Sequence, residues 1–225
     1  MDRFFDLLFS GISLLLLSPL LLPTLIILRL TGEGEVFFLQ ERIGKGGEKF
    51  KLYKYATMLK NRPNIGTGTV TMRGDPRVLP VGKFLRKTKI NELPQLLNIF
   101  FGDMSVIGPR PLTTQAFAAY SESTQRLIMQ VRPGLSGVGS IIFRGEEEIM
   151  HGATASVDFY ANVIAPYKGA LEEWFVSNKS LYIYFVAIFA TVWAVLIPST
   201  KIAWRVFKDL PEPPADLKQA LNFTD

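Results

Sequence analysis

The sequence contains no cysteine and only one histidine, His151. Without cysteine the chain has no disulfide, no thiolate nucleophile and no zinc–thiolate site. A single histidine excludes a metal site built on a histidine pair, and it argues against most catalytic triads with a histidine base. His151 stands beside Gly152 in a polar stretch, which indicates a surface position. Chemistry in this chain is therefore expected from carboxylates and basic side chains.

Charge is absent from two long stretches, the first of which covers residues 7–28. At about 1.5 Å per residue, these 22 residues are long enough to cross a hydrocarbon core of about 30 Å. Ser18 and Pro19 stand at the middle of the stretch. Proline removes a backbone hydrogen bond there, while the serine hydroxyl can satisfy the freed carbonyl. The segment is predicted to bend, and either to cross the membrane or to return to the side from which it entered.

The second uncharged stretch, residues 180–200, is apolar all round. Lys201, Arg205 and Lys208 follow it at the spacing of one helix face, which is typical of a basic amphipathic helix on an anionic membrane surface. We expect this region to be partly embedded rather than spanning. Residues beyond 210 are expected to form a mobile tail.

Basic residues are concentrated in one block. Residues 40–92 contain 13 lysines and arginines against four acids. Such a block indicates an anionic partner, which is a phospholipid surface, a nucleotide, a phosphorylated lipid or a nucleic acid. The chain shows no helix-turn-helix pattern, no zinc pattern and no interleaving of aromatic residues with cations, so we expect no nucleic-acid partner.

Short elements follow the first apolar stretch. Residues 36–43 and 50–55 predict a β-hairpin, and residues 81–87 a short amphipathic helix. Residues 114–129 predict a helix, and residues 139–143 begin like a strand. Together with the apolar stretches, these elements indicate an α+β fold: a membrane-embedded N-terminal helix, a small hairpin-containing domain and amphipathic helices on the membrane surface.

A further apolar helix is predicted to start at Asn91. Asparagine is a common N-cap residue, Glu92 falls in the first turn, and Pro94 is tolerated there because first-turn amides have no intrahelical acceptor. The positive end of the helix dipole favours a carboxylate and attracts phosphate. Arg110 lies between two prolines and is therefore presented from a stiff loop, which suits phosphate binding.

The chain resembles the bacterial sugar transferases, the monotopic phosphoglycosyl transferases. The resemblance is carried by a collinear set of motifs that reaches residue 134, and the similarity extends from the N-terminal apolar segment to about residue 210. The motifs are residues 42–45, 54–58, 75–77, 85–87, 91–96, 102–105, 108–111 and 132–134.

This resemblance implies transfer of a phospho-sugar from a UDP-sugar to polyprenyl phosphate, with release of UMP and with Mg²⁺ as cofactor. It places the enzyme at the bacterial inner membrane with its catalytic domain on the cytoplasmic face. It also implies a re-entrant N-terminal helix broken at Ser18 and Pro19. The pathway is the first membrane step of exopolysaccharide, capsule, O-antigen or glycoprotein glycan assembly.

The chain departs from the family at the reaction centre, where Asn91 stands in place of the usual nucleophilic aspartate. Three alternatives follow: Glu92 takes over as nucleophile or metal ligand, the lipid phosphate attacks directly, or the chain is a non-catalytic relative in a polysaccharide assembly complex. The interpretation that we favour is an active enzyme that uses Glu92, because the family's cations are retained. The resemblance implies substrate binding by Lys54, Asp75, Arg77, Arg86, Arg110 and Arg132.

The predicted domain organisation has four parts. Residues 1–31 form the re-entrant membrane helix, residues 32–178 the catalytic domain, residues 179–210 the membrane-associated helices, and residues 211–225 the tail. The sequence leaves open which sugar is transferred and whether copies of the chain form a homo-oligomer.

Overall fold

The computed structural model describes residues 2–59, 77–144, 157–197, 202–221 and 223. Within these residues the fold is a mixture of helices and two small sheets, as the α+β prediction requires. The elements, in chain order, are α1 (Asp2–Arg29), β1 (Phe37–Ile43), a 3₁₀ turn (Lys45–Gly47), β2 (Lys49–Tyr55), α2 (Pro80–Lys87), a 3₁₀ turn (Ile90–Glu92), α3 (Gln95–Phe101), β3 (Ser105–Ile107), α4 (Thr114–Ala118), α5 (Glu122–Ile128), β4 (Gly134–Ser136), α6 (Val138–Ile142), α7 (Val157–Phe159), a π-helical turn (Tyr160–Ile164), α8 (Ala165–Ser177), α9 (Leu181–Leu196), α10 (Ile202–Val206) and α11 (Ala215–Lys218).

The chain divides into two compact units. The smaller unit consists of Leu7–Glu41 and Lys51–Phe101, and the larger unit of Met1–Asp6, Arg42–Phe50 and Gly102–Asp225. The boundaries predicted at residues 31, 178 and 210 stay predictions.

Helix α1 is continuous through both of its prolines. Pro19 has no amide to donate to the carbonyl of Leu15, and the Ser18 hydroxyl donates to that carbonyl at 2.7 Å instead. This is the compensation expected from the sequence. Among the described residues, α1 is the helix whose length and apolar composition would allow it to cross a membrane. Its re-entrant course stays a prediction.

The core of the smaller unit forms where α1 meets β2 and α2. Leu28, Tyr55 and Leu85 are buried together there. The Tyr55 hydroxyl also donates to the carbonyl of Leu21 at 3.2 Å. Helix α2 is the amphipathic helix predicted at residues 81–87. Its Gly82 packs closely on Thr57, and a Cβ atom at this position would be 2.3 Å from the carbonyl oxygen of Thr57. These contacts place β2 and the end of α2 next to each other.

The larger unit is built around a short parallel sheet. Strands β3 and β4 pair with Ser105 opposite Gly134 and Ile107 opposite Ser136. Helices α4 and α5 form the crossover between them, so the helix predicted at residues 114–129 is two helices, the second of which begins after the Ser121 N-cap. The strand expected at residues 139–143 is wrong, because α6 occupies that stretch and packs on α8.

Helix α9 corresponds to the second uncharged stretch. Its 16 residues span about 24 Å, less than the thickness of a hydrocarbon core. Ala187 and Ala190 are fully buried against the larger unit, whereas Phe189 and Leu196 are exposed. The buried face therefore consists of Tyr184 and three alanines, and the other face presents large apolar side chains. In the predicted tail, α11 forms with Leu217 fully buried.

Candidate active site

An ion pair joins two of the predicted site residues in the smaller unit. The Lys54 Nζ atom on β2 lies 3.4 Å from Oε1 of Glu92, and the side chains are 23% and 38% exposed. The carboxylate is thus held by a neighbouring cation and still reaches solvent. The ion pair therefore orients a carboxylate that is partly exposed to solvent.

The chain around Glu92 adopts a turn rather than the predicted helix start. Lys89 takes a left-handed conformation with φ of 60°, and residues Ile90–Glu92 form a 3₁₀ turn before α3 begins at Gln95. Asn91 is therefore not the N-cap, and that prediction is wrong. The physical reason is Pro94, which has no amide and interrupts the backbone hydrogen bonds between the turn and the helix.

Asn91 is buried inside this turn. Its Oδ1 atom has no hydrogen-bond partner and no exposure to solvent. A buried amide oxygen without a partner is uncommon and costs about 1–3 kcal/mol. Asn91, which the resemblance places at the nucleophile position, is thus neither a helix cap nor an exposed group.

Asn98 fixes β2 against α3, and the sequence analysis did not identify it. Its Oδ1 atom accepts from the amide of Tyr53 at 2.9 Å, and its Nδ2 atom donates to the carbonyl of Lys51 at 2.8 Å. The side chain is fully buried. Because Asn98 binds the backbone of the strand that carries Lys54, it fixes the position of Lys54 relative to the chain that carries Glu92. An asparagine inside the apolar run of residues 96–101 was the available signal.

The other predicted residues of the smaller unit lie near the end of β2. Arg86 donates through Nη1 to the sulfur of Met58 at 3.3 Å. The carbonyl of Arg77 accepts from the amide of Leu59 at 2.9 Å. Asp75 lies outside the described residues, as does His151.

Arg110 belongs to the larger unit and is exposed between two buried prolines. The carbonyl of Pro109 accepts from the amide of Gly134 at 2.7 Å, and the carbonyl of Pro111 accepts from Nη1 of Arg42 at 3.1 Å. The stiff loop predicted around Arg110 is thus also braced on both sides. It presents a guanidinium group from a fixed backbone.

Arg132, also in the larger unit, is held by its own hydrogen bond. Its Nε atom donates to the carbonyl of Gly102 at 2.7 Å. Gly102 has φ of 100°, a conformation that favours glycine. The predicted residues therefore fall into two groups, with Lys54, Arg77, Arg86 and Glu92 in the smaller unit and Arg110 and Arg132 in the larger one.

Glu172 on α8 is a buried carboxyl that the sequence analysis did not identify. It is 3% exposed, and its Oε1 atom accepts from the backbone amide of Arg110 at 3.4 Å. Burial raises the pKa of Glu172 from 4.5 to about 7, although the amide of Arg110 and the charges of Lys168 and Arg110 act in the opposite direction. Its Oε2 atom has no hydrogen-bond partner.

Carboxylates do not cluster in the part of the chain that the structure describes. Among those residues, no group of three or more histidine, cysteine, aspartate or glutamate side chains is placed to hold a metal ion.

Comparison with known proteins gives one family. The family model described as bacterial sugar transferase matches residues 1–198. The exopolysaccharide production protein ExoY of Rhizobium meliloti is 34% identical over 209 residues, which cover 87% of this chain and 85% of ExoY. The UDP-N-acetylgalactosamine-undecaprenyl-phosphate N-acetylgalactosaminephosphotransferase of Aeromonas hydrophila is 34% identical over 196 residues, which cover 86% of this chain and 43% of that protein.

A third relative carries a similar name. The UDP-glucose:undecaprenyl-phosphate glucose-1-phosphate transferase of Klebsiella pneumoniae is 35% identical over 162 residues, which cover 70% of this chain and 34% of that protein. The chain thus spans less than half the length of each of these two transferases.

Proposed function

The chain belongs to the bacterial sugar transferase family, and from this premise we propose that it transfers a sugar 1-phosphate from a UDP-sugar to polyprenyl phosphate and releases UMP. The observation that carries the proposal is the Glu92 carboxylate, which is solvent-accessible and lies 3.4 Å from Lys54. The two relatives named for a transfer reaction are named for undecaprenyl phosphate as acceptor and for a UDP-sugar as donor. ExoY is named for exopolysaccharide production, which is the pathway class that we propose for this chain.

Glu92 is proposed as the nucleophile. One carboxylate oxygen forms a bond to the phosphorus that carries the sugar, while the bond from this phosphorus to the bridging oxygen breaks and UMP leaves with the electron pair. Polyprenyl phosphate then attacks the same phosphorus and frees the carboxylate. Lys54 orients the carboxylate, and Asn91 cannot replace it, because its amide oxygen is buried and far less nucleophilic.

Cations are required because two anionic phosphates must approach each other. The proposal assigns phosphate binding to the retained basic residues and leaves Asp75 as a further substrate contact. In the larger unit, Arg110 is exposed on a fixed loop and is suited to bidentate phosphate binding. The basic residues assigned to phosphate binding are Lys54, Arg77, Arg86, Arg110 and Arg132.

The donor set near Glu92 suits Mg²⁺ in one respect. Mg²⁺ is commonly bound by one or two carboxylates together with substrate phosphates, and Glu92 offers one accessible carboxylate. Glu92 would hold the ion with oxygens of the UDP-sugar diphosphate. Bound there, Mg²⁺ would supply charge neutralisation as the nucleotide leaves.

An apolar groove in the smaller unit supports a lipid acceptor. It has a volume of about 180 Å³ and is lined by residues of α1, α2 and the turn that follows, including Pro19, Pro23, Phe84 and Ile90. Ile90 lies two residues before Glu92 along the chain. An isoprenoid chain in this groove would have its phosphate near the carboxylate. We propose that α1 is re-entrant, so that this site faces the cytoplasmic side of the inner membrane.

The test is UMP release from candidate UDP-sugars with polyprenyl phosphate in detergent or nanodiscs. Glu92→Gln is expected to reduce turnover by about 1,000-fold or more, because the nucleophile is lost. Lys54→Met is expected to cost about 10- to 100-fold, the range of one charge-assisted hydrogen bond. Full activity of Glu92→Gln would overturn the assignment.

A matched control is Glu122→Gln, which removes a glutamate from an exposed pair with Arg126 at 3.5 Å. This variant is expected to keep wild-type turnover. Omission of the lipid acceptor tests the covalent step separately. A burst of UMP without polyprenyl phosphate supports attack by Glu92, whereas UMP release that needs the lipid supports direct attack by its phosphate.

A non-catalytic role is the second candidate, and the buried, unpartnered Asn91 favours it. A protein of this kind would release UMP from no UDP-sugar. Gain of turnover in Asn91→Asp from an inactive wild type would identify the chain as a relative that lost its nucleophile.

A further inference from the structure

Glu172 is a buried acid to which the proposed chemistry assigns no role. Its side chain is 3% exposed and lies against α6, where a Cβ atom on Gly139 would be 2.7 Å from Oε1. Burial of an ionisable group is costly and needs a compensating contact. The contact that the structure shows is the one with the backbone of Arg110.

The loop that carries Arg110 leaves a single backbone amide for this contact. Pro109 and Pro111 have no N–H group, so the amide of Arg110 is the only backbone donor in the three-residue loop. The carbonyls of both prolines are already bound, by Gly134 and Arg42. Glu172 therefore completes the hydrogen bonding of the loop from the side of α8.

We propose that Glu172 is a positioning residue that holds the Arg110 loop, through the amide of Arg110, in the conformation that binds the phosphate of the substrate. At 3.4 Å the hydrogen bond is long, so the negative charge of the carboxylate carries much of the attraction. The role in substrate binding rests on the proposed function, whereas the hold on the loop does not.

The charges that face Glu172 are few. Lys168, one turn earlier on α8, and Arg110 both favour its ionised form. The neighbouring Glu173 is directed to α5, where it accepts a hydrogen bond from Thr124. Helix α6 carries no ionisable side chain, and the acid and base of α5, Glu122 and Arg126, are exposed and paired with each other.

Hydrogen exchange tests the hold on the loop without any turnover. Within residues 109–111 the one exchangeable backbone amide is that of Arg110, so the difference in exchange between fragments that include this stretch and fragments that exclude it reports on Arg110. At pH 8, Glu172→Gln is expected to speed exchange of this amide about tenfold, because the charged acceptor is lost. Glu173→Gln is the matched control on the same helix and is expected to leave the rate unchanged. Equal exchange rates in wild type and Glu172→Gln would overturn the proposal.

A double-mutant cycle tests whether Glu172 acts through Arg110. With wild-type Arg110, Glu172→Gln is expected to lower kcat/KM for the UDP-sugar about tenfold, mainly through KM. In an Arg110→Ala background the same substitution is expected to have no further effect. Additive losses would show that Glu172 supports the fold in general, and this would overturn the positioning role.

The two readouts separate the proposals. If the wild type releases UMP from no UDP-sugar, the proposed function fails, and exchange of the Arg110 amide still decides whether Glu172 holds the loop. If turnover is normal and the exchange rates are equal, the positioning role alone fails. Thermal melting of Glu172→Gln and Glu173→Gln at pH 8 identifies any loss of folding. If Glu172→Gln melts below the assay temperature, it is replaced by Glu172→Asp, which shortens the side chain and keeps its charge.

Discussion

Glu172 makes the stability of the protein depend on pH in an unusual direction. Its pKa is about 7 in the folded protein against 4.5 as the ordinary value. Between these values the folded chain holds a proton that the unfolded chain has lost. Stability therefore falls as pH rises from about 4.5 to 7, and it is constant again outside this window as far as Glu172 is concerned.

The size of the effect follows from the difference between the two pKa values. About 2.5 units correspond to about 3 kcal/mol, at about 1.4 kcal/mol per unit. For a chain of this length, a change of 1 kcal/mol shifts Tm by about 2–4 °C, so the contribution of Glu172 amounts to about 6–12 °C. The glutamine in Glu172→Gln cannot ionise, so this variant should lose the part of the pH dependence of Tm that comes from Glu172.

The assay is thermal unfolding of wild type and Glu172→Gln in the same detergent between pH 4.5 and 8. Relative to the wild type, the variant is expected to gain Tm as pH rises through this window, because the wild type alone acquires a buried charge. Glu173→Gln serves as a control and is expected to follow the wild type. If wild type and Glu172→Gln give parallel curves, the burial argument is refuted.

Two further outcomes are expected. Gly82→Ala should lower Tm by several degrees, because its Cβ atom would lie 2.3 Å from the carbonyl oxygen of Thr57. Gly11→Ala is the control and should leave Tm unchanged, because the nearest neighbour of its Cβ atom would be at 3.6 Å. Equal Tm values for the two variants would contradict the predicted clash. The chain has no native cysteine, so single cysteines can be placed at Asp2 and Glu33. Both should react with a membrane-impermeant maleimide added from the cytoplasmic side. Labelling of the two positions from opposite sides would show that α1 spans the membrane.

Local patterns predicted those parts of the fold that depend on near neighbours in the chain. The hairpin was predicted from two strand-like runs and the glycine-rich turn between them. The hydrogen bond by which Ser18 compensates for Pro19 was predicted from backbone chemistry alone. The choice of Glu92 and Arg110 rested on local motifs and on the resemblance. The structure pairs Glu92 with Lys54 and fixes the backbone around Arg110, but substrate roles for both stay predictions.

Contacts between distant parts of the chain were not predictable in this way. Asn98 binds β2 across 45 and 47 positions, and Glu172 reaches Arg110 across 62. Neither pairing leaves a periodic pattern, because each depends on how separate elements pack. The N-cap prediction at Asn91 failed for a local reason, since Pro94 separates the 3₁₀ turn at Ile90–Glu92 from the helix that begins at Gln95.

The two prolines around Arg110 also affect the entropy of binding. Each fixes its own φ angle and restricts the residue before it, so the unbound loop has few conformations to lose. Ordering a flexible backbone costs about 1–2 kcal/mol per residue, and here most of this cost is met during folding. If Arg110 binds a phosphate as proposed, chiefly the rotamers of its own side chain remain to be ordered. Affinity for a small phosphate group can then come from a single guanidinium, without a lid that closes over it.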